Sequence, residues 1–405
     1  MSTKTKVAVV SATEYEQGQI DLAVQNLINQ LGGIEAFVPQ GAKVLLKANL
    51  VRDMSPDQHG TTHPTVLIAL VKLLEPLGCT VVVGDSSGGT YTKGYMNTVY
   101  NKCKMTDVAN ATSATLNDDF DFQRAEIGGV KIKNVDICNS FFNADVVINV
   151  GKLKTHSFTG YSGAVKNNYG LLPGLVKVEI HSRFPDLWDF CDALVDIEQF
   201  SSQKVVLNVI DGVIGMEGAG PTNGKPKFIG KLIASANPYL CDVVAVSLFD
   251  DPFKQPLLQK AVERGLLDES LSNLDFDLST LKDDYVADFD RVEVVSTNTF
   301  LNMPKWMKRL AKRYLTPKVK INKKRCKACK KCANHCPAKA IKMDKCSNSV
   351  GKCAKVNQKE CIRCFCCQEL CPYDAVKLKK SWIYHLIRAL SHTKRKKDGS
   401  VETVD

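Results

Sequence analysis

Short apolar runs rich in β-branched residues recur along the first 300 residues, separated by stretches with helical spacing of apolar side chains. Residues 7–10, 44–47, 80–83, 146–150, 205–210 and 231–234 each read as a buried strand. Between them, residues 20–31 form an amphipathic pattern that stops at Gly32-Gly33. A second helix opens on Pro64 and closes at Leu77-Gly78, with proline first and glycine last. Residues 187–200 and 239–249 predict two further helices. This alternation predicts an α/β domain over residues 1–300, built on a mostly parallel sheet. In open sheets of that kind ligands bind where the strands end.

The remainder of the chain reads differently. Residues 303–314 predict a short basic amphipathic helix within a linker spanning 301–319; its apolar face suits packing on its own protein or a membrane surface. A small α+β domain is expected over 320–380. A basic tail follows over 381–405, beginning with a helix at 382–390 and ending in Lys394-Arg-Lys-Lys397. A chain of 405 residues is long enough for one large core plus a small one. No apolar signal region precedes the first strand, and no apolar run approaches the roughly 20 residues of a membrane span. A cytoplasmic protein without a membrane span is the expectation.

Cysteine usage changes the picture. Of 16 cysteines, 11 lie between Cys326 and Cys371, whereas Cys79, Cys103, Cys138, Cys191 and Cys241 are scattered and suit small core positions. Reducing conditions argue against a disulfide framework and in favour of metal ligation. Cys326, Cys329, Cys332 and Cys336 precede Pro337, and Cys361, Cys364, Cys367 and Cys371 precede Pro372. Both runs fit C-x2-C-x2-C-x3-C-P, and they repeat at an interval of 35 residues. The module resembles bacterial two-cluster ferredoxins over about residues 320–380, where the fourth cysteine of each run serves the other cluster. The resemblance implies two [4Fe-4S] clusters, one held by Cys326, Cys329, Cys332 and Cys371, the other by Cys361, Cys364, Cys367 and Cys336. It departs from that pattern in a longer connection carrying Cys346 and Cys353, and in an extra Cys366. Two cysteines alone are too few for a third metal site.

Charge is divided along the chain. Residues 301–405 carry 28 Lys+Arg against 7 Asp+Glu, while the whole chain has a net charge of +11, so the first 300 residues are acidic. Cations suit the anionic clusters; the surplus fits an acidic redox partner protein, a membrane surface, nucleic acid or a solvated face. No helix-turn-helix or aromatic stacking platform supports specific nucleic-acid binding. No dinucleotide fingerprint supports a flavin or nicotinamide.

Polar residues cluster after the predicted strands. Lys152, Lys154 and His156 follow the strand at 146–150, at a spacing that suits an anionic group, and Lys166 and Asn167 lie in a segment framed by Gly151, Gly160, Gly163 and Gly170. The alternative is a hydrated loop. Asp211 and Glu217, the latter surrounded by Gly215, Gly218 and Gly220, follow the strand at 205–210, and turn geometry alone would also explain these glycines. Lys47, Asn49, His63, Asp85 and His181 complete the set. Together these residues resemble the family catalogued as domain of unknown function 362, over about residues 5–300. The resemblance supports one α/β unit and supplies no substrate. The leading expectation is an iron-sulfur oxidoreductase. In it Lys152, Lys154 and Lys166 hold an anionic substrate or cofactor, His156 or Glu217 moves a proton, and Asp85 and Asp211 orient partners. The alternative is a polyferredoxin-like carrier whose α/β domain docks a partner enzyme.

Overall fold

A computed structural model describes residues 4–292 and 317–379, together with residues 294 and 304. The chain divides into two units, Met1–Val294 and Val295–Asp405. The expected linker helix lies outside the described residues except for 304 and 317–319, and the basic tail lies wholly outside them.

The first unit is built on strands Thr5–Ser11 (β1), Lys43–Lys47 (β2), Thr80–Gly84 (β3), Thr115–Leu116 (β4), Val146–His156 (β7), Gly160–Ser162 (β8), Val205–Glu217 (β9), Lys225–Ser235 (β10) and Leu274–Asp275 (β11). A separate antiparallel hairpin pairs Phe122–Glu126 (β5) with Asn134–Cys138 (β6). The main sheet runs β11-β1-β10-β9-β7-β2-β3-β4, with β8 attached to β7. Pairings β1–β11, β9–β7, β7–β2, β2–β3 and β3–β4 are parallel; β1–β10, β10–β9 and β7–β8 are antiparallel. The domain is thus α/β with a mostly parallel sheet.

Local sequence explains the helices. Gln17–Gln30 (α1) is capped by the Glu16 carboxylate, which accepts from the amides of Gly18 and Gln19. Pro64–Leu74 (α2) has proline in its first turn and His63 at its N-cap, accepting from Thr65 N. Val44, Leu46, Val81, Val83, Ile148, Val150, Leu207 and Val209 join α1, α2, Lys93–Lys102 (α3) and Met105–Ala111 (α4) in one core on one face of the sheet. Alternation sends Leu45 and Val147 to the opposite face, where they are buried as well. Leu187–Ser201 (α8) and Pro238–Ser247 (α9) match the two later helices within one or two residues.

Three strands run further than their apolar patterns suggest. β7 continues through Lys152, Lys154 and His156, and β9 continues through Asp211 to Glu217. The glycines that read as a tight turn serve close strand approach: a Cβ on Gly212 would meet Lys231 O at 2.8 Å, and one on Gly215 would meet Leu153 O at 2.9 Å. β10 likewise begins at Lys225, and the β9–β10 turn holds a cis Gly220–Pro221 bond.

In the second unit, Lys318–Ile321 (β12) pairs antiparallel with Val376–Lys379 (β15), and Ile341–Lys345 (β13) with Lys352–Val356 (β14). Short helices Lys331–Asn334 and Cys366–Glu369 complete an α+β ferredoxin-like fold. The hairpin β13–β14 fills the connection that is longer than the ferredoxin pattern requires.

Candidate functional site

The carboxyl ends of β2, β3, β7 and β9 bring the polar residues together. Lys47, last in β2, pairs with Asp85, which follows β3, at 2.8 Å, with 1% and 4% of the two side chains exposed. Across β7 and β9, Lys152 stands opposite Asp211 in the register and pairs with it at 2.8 Å. Asp211 accepts also from Tyr15 Oη at 2.6 Å and from His63 N at 3.0 Å, and Lys152 Nζ donates to Tyr15 Oη at 2.6 Å. The His63 ring stacks on Tyr15 with centroids 3.8 Å apart.

One polar chain crosses this edge. Lys154 Nζ donates to Asn49 Oδ1 at 2.5 Å and to Gly60 O at 2.6 Å. Asn49 donates to Asn167 at 2.7 Å, Asn167 to Asn149 at 2.8 Å, and Asn149 to Asn208 at 2.8 Å, ending on the carbonyls of Ser235 and Ala236. Thr62 closes the loop over β7, its hydroxyl donating to Val150 O. His156 Nδ1 accepts from the amides of Phe158 and Thr159, each at 3.2 Å. That places the neutral ring's proton on Nε2.

The lysines are therefore not on a hydrated loop. Lys47, Lys152 and Lys154 are each 1% exposed. Burial of a charge at this depth requires partners, and the loops after β2 and β8 supply cover. The glycine-framed segment does make close approaches, to the protein's own groups: a Cβ on Gly170 would lie 2.1 Å from Asp85 Oδ1, and one on Gly163 2.1 Å from Asp242 Oδ1.

Other expected residues sit apart. Glu217 Oε2 accepts from Asp290 N at 2.9 Å, and Gly218 N donates to Asp290 O. Gly220 O accepts from Ser157, and a Cβ there would meet Thr155 O at 2.0 Å. His181 lies on Val176–Arg183 (α7) among aromatics, stacked on Phe190 with centroids 4.2 Å apart. Lys166 lies over the Tyr169 ring at 5.4 Å.

Burial dominates the protonation of the edge. It pushes the Asp211 carboxyl up, but Lys152 outweighs it and, with hydrogen bonds from Tyr15 and His63 N, holds the group below the usual carboxylate range. Burial pulls the Lys152 ammonium down and raises the Tyr15 phenol. It also lowers His63 to about 4, so the ring is neutral at pH 7. Asp242, accepting from the amides of Ala164 and Val165, is raised by burial to about 7.

Tyr15, Asp242, Asn149 and Asn208 carry much of this arrangement and stand in no motif. Tyr15 and Asp242 meet their partners only through the fold. Asn149 and Asn208 did have a signal: each interrupts an apolar strand, and they are register partners.

The cysteine module shows its repeat in the backbone. Residues with left-handed φ occur in pairs 35 apart: Ala328 and Arg363, Lys330 and Phe365, Lys339 and Asp374. The fourth cysteines match too, with Ala340 N donating to Cys336 Sγ and Ala375 N to Cys371 Sγ, both at 3.3 Å. One cavity is lined by Cys326, Cys329, Cys332 and Cys371, a set drawn from both runs. Burial, then Cys329, Cys371 and Cys326, push the Cys332 thiol up to about 12. Four thiolates held together there would need compensating positive charge. Cys366 is buried beside Cys364.

An α/β domain with a buried polar edge, joined to a ferredoxin-like unit whose cysteines surround a cavity, defines an iron-sulfur electron-transfer protein. The chain belongs to the family described as "Domain of unknown function (DUF362)", whose model matches residues 44–247, and residues 319–342 match a 4Fe-4S binding domain. It is 29% identical, over 71% of its length and 88% of the relative, to a thylakoid-associated protein of Synechocystis sp.. Two solved structures are more distant. The lactate racemase apoprotein from Thermoanaerobacterium thermosaccharolyticum is 13% identical, with a TM-score of 0.38 over 60% of this chain and 57% of that one. A Thermotoga maritima structural-genomics target is 12% identical, with a TM-score of 0.32 over 57% and 58%. The match spans less than two thirds of either solved chain. Among the described residues no helix is long and apolar enough to cross a membrane.

Proposed function

We propose that the protein is an iron-sulfur oxidoreductase whose two [4Fe-4S] clusters pass electrons to a small anionic substrate or cofactor bound at the carboxyl edge of the α/β sheet. When bound, each cluster supplies one-electron transfer at low potential. Cys326, Cys329, Cys332 and Cys371 hold one, and Cys361, Cys364, Cys367 and Cys336 the other. The N–H donors to Cys336 and Cys371 favour the reduced, more negative state. A cytoplasmic, anaerobic setting and an acidic redox partner drawn to the lysine-rich second unit belong to the same reading.

One observation carries the binding role. Thr61, Ser87 and Asn168 are each 1% exposed, and the two hydroxyls and both amide atoms of Asn168 have no hydrogen-bond partner among the described residues. They stand on the three segments that follow β2, β3 and β8, and buried polar groups of this kind are ordinarily satisfied. A polar ligand at the edge satisfies them. Lys47 and Lys152 are paired with Asp85 and Asp211, and Lys154 donates to Asn49 and Gly60 at the same edge; we assign the anion to Lys154 and these polar neighbours. Proton transfer goes to His156, whose neutral ring carries its proton on Nε2 beside this edge, in preference to Glu217, which sits apart on the backbone of Asp290.

The test uses anaerobically prepared protein with its clusters reduced, mixed with a panel of small carboxylates and phosphorylated compounds while visible absorbance reports reoxidation. At least one compound should reoxidise the clusters. Asn168→Ala should abolish that response while leaving the fold as stable or more so. If every compound leaves the clusters reduced although a protein acceptor oxidises them, the carrier reading replaces this one. The two internally neutralised ion pairs are the observation that favours it.

A further inference from the structure

We infer that Cys346 and Cys353 form a reversible disulfide, a two-electron couple fixed beside the cavity of the first cysteine set. Neither residue belongs to the two ligand runs. They sit at the end of the β13–β14 hairpin, where Cys353 is the register partner of Asp344 and Cys346 N donates to Gly351 O at 3.2 Å. Cys346 therefore lies on the same side as Cys353, two positions along the facing strand. Both side chains share one face of the hairpin end.

The hairpin is tied to the cluster-binding loop. Asn348, between the two cysteines, donates to Cys326 O at 2.8 Å and to Lys352 O at 2.9 Å. Met343 and Ala354, which are cross-strand partners, line the cavity with Cys326, Cys329, Cys332 and Cys371, so the hairpin that carries both thiols packs on that cavity. Bond formation asks that two thiols on one face of the hairpin end close to an S–S length of about 2.05 Å, by movement of that exposed end.

Exposure assigns the roles. Cys353 is 3% exposed and Cys346 is half-buried, so Cys346 meets the external reactant. With a low-molecular-weight disulfide, the Cys346 thiolate attacks one sulfur and expels the first thiol. Cys353 then attacks the mixed disulfide at Cys346, forming the internal bond and expelling the second thiol. Two protons and two electrons leave the protein. The reverse step consumes two protons and two electrons, which a pair of one-electron iron-sulfur donors supplies; only this source of electrons rests on the function proposed above.

The experiment equilibrates the cluster-loaded protein anaerobically in glutathione buffers of graded ratio, alkylates it, and reads the peptides by mass spectrometry. A Cys346 to Cys353 crosslink should appear and disappear reversibly across the series, and Cys346→Ser should remove it without changing iron and sulfide per chain. Alkylation of both thiols at every ratio, or loss of iron in Cys346→Ser, would overturn the inference. In a second arm the crosslinked protein is photoreduced without added thiol: two new thiols per chain should appear as cluster absorbance recovers. A crosslink that survives reduced clusters overturns the coupling alone. A crosslink in protein lacking iron and sulfide leaves the disulfide standing and sinks the iron-sulfur reading.

Discussion

Lys152→Met is the sharpest probe of the sheet edge. It removes the ammonium that lies 2.8 Å from Asp211 and 2.6 Å from Tyr15 Oη, and leaves a carboxylate that is 0% exposed without its counter-charge. Breaking a buried pair from one side costs about 3–5 kcal/mol, because desolvation of the survivor is no longer offset. At on the order of 2 °C per kcal/mol for a domain of this size, the unfolding midpoint should fall by roughly 6–10 °C. The loss should grow with pH. Without Lys152 the burial effect on Asp211 prevails and its folded pKa rises above the unfolded value, so the variant loses stability as pH climbs through that range. Asp211→Asn in the same chain removes the stranded charge, and the double variant should recover at least about 2 kcal/mol over the sum of the single changes. Urea unfolding followed by far-ultraviolet circular dichroism at pH 5 and pH 8 provides the measurement. A cost under about 1 kcal/mol for Lys152→Met, or strict additivity in the double variant, would refute the account of a coupled buried pair.

Two buried carboxyls should make wild-type stability fall with rising pH. Burial raises Asp242 and Glu198 to about 7 in the folded state, so between their unfolded values, 3.8 and 4.5, and pH 7 folding retains protons that the unfolded chain releases. Glu198→Gln should flatten that slope by up to about 1.4 kcal/mol per pH unit; an unchanged slope would disprove the assignment. Gly170→Ala forces a Cβ to within 2.1 Å of Asp85 Oδ1 and 2.5 Å of Lys47 Nζ, and should destabilise by roughly 1–3 kcal/mol. Gly94→Ala in α3, where nothing lies within 4 Å, should be neutral or stabilising by up to about 1 kcal/mol. Thermal scans compare the two. Cys336→Ser should perturb the same cluster signal in electron paramagnetic resonance as Cys361→Ser, and a different one from Cys326→Ser; a shared signal for Cys336→Ser and Cys326→Ser would contradict the crossed ligand sets.

What the sequence determines by itself is whatever depends on neighbours in the chain. The spacing of each cysteine run dictates a loop wrapped around one centre, and the left-handed residues at 328, 330, 363 and 365 are the backbone form of that spacing. The cores of β2, β3, β7 and β9 were legible because strands buried on both faces are continuously apolar. Where polar residues extend those strands the pattern breaks, and Lys152, Lys154 and Asp211 read as loop although they lie in paired strand. Only the tertiary structure could decide that Lys152 and Lys47 spend their charge on Asp211 and Asp85. It alone brings Tyr15 to Asp211 across 196 residues and aligns four asparagines from separate segments. A lone lysine or asparagine has the same letter whether solvated or buried. Its role is set by the electrostatic cost of removing it from water, and that cost exists only once the loops after β2, β3 and β8 have closed over it.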